Sequence, residues 1–145
     1  MQQQVEVNDK EVGTPLPKKL GIAGDLVFAV VHAPSGFVAS LGDTGDAIWQ
    51  RNLELPLDVI IAFFAQRTRL RTEWPDLTAA AHPDGAIWVA WPKHSGAERG
   101  DITEDVLRAD LLKTGWVDNK LIAIDETWNA LRFAQRKDQR HPRKR

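Results

Sequence analysis

The chain has 145 residues, of which 43% are hydrophobic and 27% are charged, and it contains no cysteine. These values are typical of a single globular domain, and they exclude disulfides, thiolate metal sites and cysteine nucleophiles. No apolar run approaches the roughly 20 residues that span a bilayer, and the polar N-terminus is unlike a secretory signal. The sequence therefore predicts a cytoplasmic protein that makes no membrane contact.

The net charge of −1 conceals an uneven distribution of charge along the chain. Residues 136–145 carry six basic residues and one acidic residue, which leaves 13 basic and 19 acidic residues, a charge of −6, in the rest. We predict disordered segments at 1–17 and 136–145 around a single α/β domain at 18–135. The tail lacks aromatic residues, so any contact with nucleic acid would be nonspecific. An acidic partner and the chain's own acidic body are the alternatives.

The first half of the domain is predicted to contain three strands and a short helix. Continuous hydrophobicity in DLVFAVVHAP, residues 25–34, is typical of a strand buried on both faces. SGFVASLG then predicts a short helix with Ser35 as its N-cap and Gly42 at its end. A weaker strand near residues 47–53 and a strong one near 58–65 follow.

The middle of the chain predicts a helix followed by a third strong strand. One helical face is formed by apolar residues spaced by three or four: Leu70, Trp74, Leu77 and Ala81. Pro75 interrupts this pattern and predicts a kink or a restart. HPDG, residues 82–85, is predicted as a turn before the strand AIWVAW.

The last part of the domain predicts one helix and two strands. Asp101 or Thr103 can cap a helix that ends near Gly115. Strands at 116–128 and 129–136 are joined too tightly for a crossover, so they are predicted to be antiparallel. The predicted fold is a three-layer α/β domain, Rossmann-like, with a mainly parallel sheet and a C-terminal antiparallel pair. The last strand is predicted at the sheet edge, where it could pair with a second copy, so both a monomer and a homodimer remain open.

This sheet ending, with the stretch HPDGAIWVAW, resembles the second half of S-adenosylmethionine-dependent methyltransferases over residues 58–135. The resemblance implies a shortened methyltransferase-like fold. The first half departs from that family: only Gly36 stands where the family has a glycine-rich cofactor loop, and a helix, a strand and a helix are missing between residues 54 and 58. The resemblance further implies that Glu54 stands where an acidic residue holds the cofactor ribose.

Three segments resemble more closely a small bacterial domain family of unknown function that has this shortened form. They are PLPKKLGI, WVAWPKHSG and VDNKLIAIDETWNALRF, and the resemblance covers most of residues 15–135. It implies the fold and carries no assigned activity, so it leaves the function to the site residues.

Polar groups follow the predicted strands where an open parallel sheet binds its ligands. The first strand ends near His32, Pro34 and Ser35, and the penultimate strand ends near Asp125 and Glu126. The candidate ligand-binding residues are Lys93, His94, Ser95, Gly96, Asp125, Glu126, Trp128, Ser35 and Gly36. Lys93 offers a charge to phosphate or carboxylate, and Trp91 and Trp128 offer aromatic rings for stacking. The structural alternative is that Lys93 forms an ion pair with Asp125 or Glu126 and that both tryptophans belong to the core.

Other chemistries have weaker support in the sequence. His94 and Ser95 are adjacent, which is poor geometry for a base and its nucleophile. The four histidines lack metal-binding spacing, so no metal is predicted, and no phosphate-binding loop motif is present.

Two functional hypotheses therefore stand. The first is a domain that binds a small anionic ligand or a protein without a required cofactor. The alternative is a methyltransferase-like group-transfer enzyme with an atypical loop that binds S-adenosylmethionine.

Overall fold

A six-stranded sheet runs through the centre of the molecule. The computed structural model describes residues 13–54, 56–93 and 100–136. In chain order its elements are α1 (Leu16–Lys19), β1 (Val27–Val31), α2 (Phe37–Ser40), β2 (Ile48–Trp49), β3 (Leu57–Phe63), α3 (Arg67–Ala80), β4 (Ala81–Pro92), α4 (Glu104–Leu111), β5 (Trp116–Ala123) and β6 (Trp128–Gln135). None of the helices in these ranges is both long and apolar enough to span a bilayer.

The strand order confirms a mainly parallel sheet that ends in an antiparallel pair. The order is β2-β1-β3-β4-β6-β5. β1 pairs in parallel with β2 and β3, and β3 pairs in parallel with β4. β6 is antiparallel to both β4 and β5. The expectation that the last strand lies at the edge is therefore wrong, because β6 lies between β4 and β5. The buried residues Ala130, Leu131 and Phe133 suit this inner position, whereas β5 carries Asp118 and Lys120 at the edge.

One face of the sheet, the α3/α4 face, is covered by the two longest helices. Leu70, Trp74 and Leu77 of α3 and Leu107 and Leu111 of α4 are buried in one core cluster. α3 continues through Pro75 as a single 14-residue helix, so the predicted restart is wrong. Pro75 is exposed, and the buried residues on either side keep the helix packed against the sheet.

The opposite face, the α1/α2 face, is covered by two four-residue helices and the segment that joins α1 to β1. The indole of Trp88, which is fully buried, donates to the carbonyl of Leu20 at 2.9 Å and ties this segment to β4. α1 begins at Leu16 and Pro17 is buried, so ordered structure starts before the predicted boundary at residue 18. Gly36, not Ser35, is the N-cap of α2, and no side chain caps the helix.

The predicted turn HPDG is instead a bulge within β4. Ala81 pairs with Leu57, but Ala86 already pairs with Val59, so β4 holds extra residues at this point. A Cβ atom at Gly85 would lie 2.8 Å from the Leu57 and Asp58 carbonyl oxygens, which explains the glycine. β2 is also shorter than the predicted strand at 47–53, since it spans only Ile48–Trp49.

Charged contacts join α3 to α4. Arg67 binds the buried carboxylate of Asp110 through two hydrogen bonds of 2.8 and 2.9 Å, and Arg71 adds a third at 3.2 Å. The hydrogen bond from Arg67 lowers the pKa of Asp110 to about 2, although burial opposes the shift. Thr103 caps α4, as predicted for one of two residues, whereas Asp101 accepts from the backbone N–H of Arg67 at the start of α3.

Candidate functional site

The candidate site lies at one edge of the sheet, which we call the carboxyl edge. β1, β3, β4 and β5 all run in the same direction and end there, and β6 begins there. The opposite edge, where those four strands begin, is called the amino edge. Parallel topology thus brings the turn after β1, the end of β4 and the β5–β6 turn together.

An open hollow of about 580 Å³ lies between the end of β4 and the β5–β6 turn. Its lining residues are Lys93, Ala123, Asp125, Glu126 and Thr127. The backbone N–H of Lys93 donates to the carbonyl of Thr127 at 2.7 Å, and its ammonium donates to the carbonyl of Asp125 at 2.8 Å. Among the described residues no ion pair joins Lys93 to a carboxylate, so the expected salt bridge does not form. Because an ammonium has three donors, Lys93 retains capacity for an anion.

Two backbone hydrogen bonds fix the position of the Asp125 carboxylate in this hollow. Its Oδ1 accepts hydrogen bonds from the backbone N–H groups of Thr127 and Trp128, both at 2.8 Å. This arrangement is an Asx turn, which fixes the β5–β6 connection. The carboxylate is therefore placed before any ligand arrives, and Glu126 beside it is exposed.

A second, smaller cavity of about 160 Å³ lies under the turn between β1 and α2. Its lining residues are Pro34, Ser35, Gly36, Phe37, Ser40 and Asp125. Asp125 thus borders both cavities, and the predicted residues Ser35 and Gly36 lie beside the β5–β6 turn. Gly36 has a φ of 84°, and apart from its two chain neighbours no described residue lies within 4 Å of the position that a Cβ would take, so its backbone is open to a ligand.

The two candidate stacking residues lie in different environments. Trp128 is half-buried and its ring meets Phe63 edge-on, with ring centroids 5.0 Å apart, so it forms part of the wall of the carboxyl edge. Trp91 is only 4% exposed and belongs to the core of the α3/α4 face. The proposal that Trp91 stacks on a ligand is therefore wrong.

Three predicted site residues, His94, Ser95 and Gly96, lie outside the described residues. Gly100 lies against the backbone of Ala65, just after β3, and a Cβ atom at Gly100 would clash with the Ala65 carbonyl. The N–H of Asp101 donates to the same carbonyl at 3.0 Å. The segment that precedes α4 is thus held at the carboxyl edge.

Glu54 lies away from the other predicted residues. It lines a hollow with Pro56, next to the start of β3, and with Ala79 and Ala80 at the end of α3. β2 pairs with only the first two residues of β1, so the chain turns back toward the amino edge well before the carboxyl edge is reached. This placement separates Glu54 from Lys93, Asp125 and Gly36.

The sequence reasoning missed a polar cluster at the point where the strand order reverses. β1 is followed to one side by β2 and to the other by β3, and such a switch point is where open α/β sheets bind ligands. At this point Nε2 of His32 lies 2.7 Å from a carboxylate oxygen of Glu73. Arg69 donates to the other Glu73 oxygen at 2.9 Å and approaches Nδ1 of His32 at 3.3 Å.

Backbone geometry turns His32 toward this cluster. Val30 packs on the α1/α2 face and Val31 on the α3/α4 face, so an extended residue 32 would return to the α1/α2 face. His32 instead has a φ of 57°, the one positive φ at a non-glycine residue in the described ranges. Its ring lies against Phe64, with centroids 5.5 Å apart, on the α3/α4 face. A left-handed histidine costs about 1 kcal/mol, which its contacts must offset.

The hydrogen bonds of the cluster define the tautomer of His32. Since the Arg69 guanidinium can only donate, Nδ1 of His32 acts as the acceptor and Nε2–H donates to Glu73. Burial alone would raise the pKa of Glu73, but the hydrogen bonds from His32 and Arg69 outweigh it and lower that pKa. Glu73 is thus held as a carboxylate.

The sequence offered a partial signal for this cluster. Arg69 and Glu73 are spaced i, i+4, which is typical of a helical ion pair. Their contact with His32 depends on the register of β1 against β3 and on a positive φ, which no local pattern predicts. In the part of the chain that the structure describes, no three His, Asp or Glu side chains form a group able to hold a metal ion.

Solved structures of S-adenosylmethionine-dependent methyltransferases are similar to the chain in fold. Such an enzyme from Aquifex aeolicus aligns with a TM-score of 0.59 and 12% identity, over 87% of this chain and 93% of that one. A ribosomal protein L11 methylase from Lactobacillus delbrueckii subsp. bulgaricus gives 0.56 and 13%, over 89% and 80%. A magnesium protoporphyrin IX methyltransferase from Synechocystis PCC 6803, solved with bound S-adenosylmethionine, gives 0.51 and 10%, over 93% and 86%.

These similarities confirm the shortened methyltransferase-like fold. No protein-family model matches the sequence, and no curated protein matches it significantly. At 10–13% identity the solved structures show the fold alone. The resemblance to a bacterial family of unknown function therefore remains a prediction.

Proposed function

We propose that this chain binds S-adenosylmethionine at the carboxyl edge of its sheet and acts in methyl transfer. The observation that carries the proposal is the meeting of Gly36, Asp125 and Lys93 at that edge of a methyltransferase-like sheet. The fold similarity favours this reading over the alternative of a cofactor-free binding domain.

The hollow beside Lys93 fits the amino-acid end of the cofactor. That end carries an ammonium and a carboxylate, and the hollow offers the Lys93 ammonium together with the Asp125 and Glu126 carboxylates. Its volume of about 580 Å³ is within the range of ordinary ligand sites. The small cavity at Gly36 would admit a ligand close to the backbone but is too small for the whole cofactor.

The nucleoside end of the cofactor has a weaker set of partners. Glu54, the residue implied for the ribose hydroxyls, lies near the amino edge beside Pro56. Glu54 is the one carboxylate in the sequence between β2 and β3, so this connection offers none at the carboxyl edge. We therefore expect weaker cofactor binding than a complete loop and ribose carboxylate would give.

The bound cofactor would supply an electrophilic methyl group, and the residues of this chain would prepare the acceptor. Nδ1 of His32 is the basic atom at the switch point, and Glu73 would stabilise the imidazolium formed when it takes a proton. Arg69, whose side chain is 57% exposed, would have to move from Nδ1 first. An acceptor hydroxyl or amine is the substrate class that such a base requires.

Calorimetric titration with S-adenosylmethionine and its demethylated product tests the proposal. Gly36→Ala places a Cβ on the open backbone and should weaken binding at least about tenfold, a cost of ~1.4 kcal/mol. Gly42→Ala is the matched control, because Gly42 also has a positive φ with open space around it but lines neither cavity. Both variants carry the same backbone strain, so a loss of binding only in Gly36→Ala supports the site.

A second candidate is a cofactor-free site for a small anion, favoured by the positive charge of the Lys93 ammonium beside the hollow. Thermal unfolding with phosphate, nucleotides and carboxylic acids distinguishes it, since a ligand at 100 times its Kd adds about 2.7 kcal/mol. A shift of several degrees with an anion but none with S-adenosylmethionine would replace the first proposal with this one. No binding of S-adenosylmethionine at about millimolar concentration would refute the first proposal outright.

A further inference from the structure

The amino edge carries a hollow of about 540 Å³ on the side of α3. It is lined by Leu53, Glu54, Pro56, Asp76, Ala79 and Ala80. Four of these residues are apolar, and the carboxylates of Glu54 and Asp76 stand exposed beside them. No described residue forms an ion pair with either carboxylate. The hollow is therefore an apolar groove that carries two exposed carboxylates.

The basic C-terminal segment begins at the same edge and on the same face. β6 ends at Gln135 on the amino edge, since it is antiparallel to β4. The N–H of Arg136 then donates to the carbonyl of Gly115 at 2.7 Å, and its guanidinium donates to the carbonyl of Leu112 at 3.1 Å. These contacts place Arg136 beside the end of α4, on the α3/α4 face.

The distance and the length of the segment are compatible with docking. β6 is two strands away from β3, a lateral separation of about 10 Å. Residues 137–145 can extend over about 30 Å. They include five basic residues and one acidic residue, so their charge is complementary to the two carboxylates of the hollow.

We propose that residues 137–145 bind within their own chain to the hollow formed by Leu53, Glu54, Pro56, Asp76, Ala79 and Ala80. The basic side chains pair with Glu54 and Asp76, and their methylene stems cover the apolar residues between them. Docking of this kind depends on salt, because the charges lie at the surface. In this proposal Glu54 binds the basic segment 137–145, whether or not a cofactor binds at the carboxyl edge.

Amide NMR spectra of the full chain and of a chain ending at Arg136 test the proposal. The two spectra should differ at Leu53, Ala79 and Ala80, and the differences should disappear in about 1 M salt. The double variant Glu54→Gln with Asp76→Asn should remove them in the full chain. Asp105→Asn is the matched control, since this exposed carboxylate lies in the first turn of α4, away from the amino edge, and should leave the differences unchanged.

Four outcomes would overturn the proposal. Identical spectra of the two chains at these amides would show that the segment does not dock. Differences that grow with protein concentration would assign the hollow to the tail of a second copy. Spectral differences that persist in the double variant would show that the segment binds without Glu54 and Asp76, outside the proposed hollow. Loss of duplex DNA binding on truncation, with no amide differences, would assign the segment to nucleic acid.

Discussion

The two faces of the sheet are covered very differently, and the difference shows how few helical residues are needed to bury one of them. The α3/α4 face carries helices of 14 and 8 residues that are joined through the buried carboxylate of Asp110. The α1/α2 face carries two helices of four residues each. The turn before α2, with Gly36, borders the candidate site, so the ligand loop belongs to the less regular face.

A face covered by short helices can still be well buried when a few large side chains fill the space beneath them. Trp88 and Phe28 are essentially fully buried on the α1/α2 face although the helices above them are short. The connecting segment before β1, held through Leu20, supplies cover that a longer helix would otherwise give. Stability of this face should therefore depend on a few residues, and that of the other face on many.

Trp88→Ala should have the largest effect on stability. It removes a fully buried indole and its bond to Leu20, so the free energy of unfolding should fall by about 3–5 kcal/mol in a denaturant titration. Trp49→Ala is the matched control, because this indole is 37% exposed and should cost well under about 1 kcal/mol. Equal costs for the two variants would contradict the account of the α1/α2 face.

Asp110→Asn should have the next largest effect, on the other face. Losing the carboxylate leaves Arg67 and Arg71 without their shared partner, and should lower the free energy of unfolding by about 2–3 kcal/mol at neutral pH. The pKa of Asp110 is depressed, from its ordinary 3.8 to about 2. The stabilisation is therefore complete above about pH 4 and is lost as pH falls toward 2.

The same variant tests the direction in which the contribution of Asp110 to stability changes with pH. The difference in stability between wild type and Asp110→Asn should shrink between pH 4 and pH 2, since the wild-type carboxyl becomes protonated in that window. Urea titrations of both proteins at several pH values measure it. A difference that stays constant down to pH 2 would show that packing, not charge, accounts for the cost.

Asp125→Ala should have a moderate effect. It removes the acceptor for two backbone N–H groups and should destabilise the β5–β6 turn by about 1 kcal/mol. Its exposed neighbour provides the control, and Glu126→Ala should change stability by less than about 0.5 kcal/mol. A neutral Asp125→Ala would mean that the carboxylate is not held in place before a ligand binds.

Lys93→Ala should have the smallest effect, below about 1 kcal/mol, because its bond to Asp125 is exposed. The partner is a backbone carbonyl rather than a carboxylate, so the cost should be almost the same in low salt and in about 1 M salt. A cost that falls steeply with salt would show that Lys93 forms an ion pair in solution.

Much of the fold could be predicted from the sequence because its strongest signals are local. Continuous apolar runs predicted β1, β3 and β4, and the short connection expected near residues 126–129 predicted the antiparallel pair. The errors have a common cause in tertiary packing. Burial of Trp74 and Leu77 keeps α3 continuous past Pro75, and pairing with β3 absorbs HPDG into β4 as a bulge.

The sequence could predict those site residues that directly follow a strand. It could not predict those whose contacts depend on the register between strands. Lys93, Asp125 and Gly36 follow strands, so topology alone brings them to one edge. The cluster of His32, Arg69 and Glu73 requires a left-handed residue after β1, and no pattern in the sequence encodes that conformation. Glu54 was placed by resemblance, whereas the early end of β2 turns it away.

The central claim is that a methyl donor binds at the carboxyl edge, and mapping of amide chemical shifts tests it most directly. S-adenosylmethionine would be titrated into the uniformly labelled full chain to about 1 mM, a range that detects even weak binding. The account predicts saturable shifts at Ser35, Gly36, Asp125 and Thr127, with little change at Ala79 and Ala80 near the amino edge. Unchanged spectra, or shifts confined to the amino edge, would contradict it.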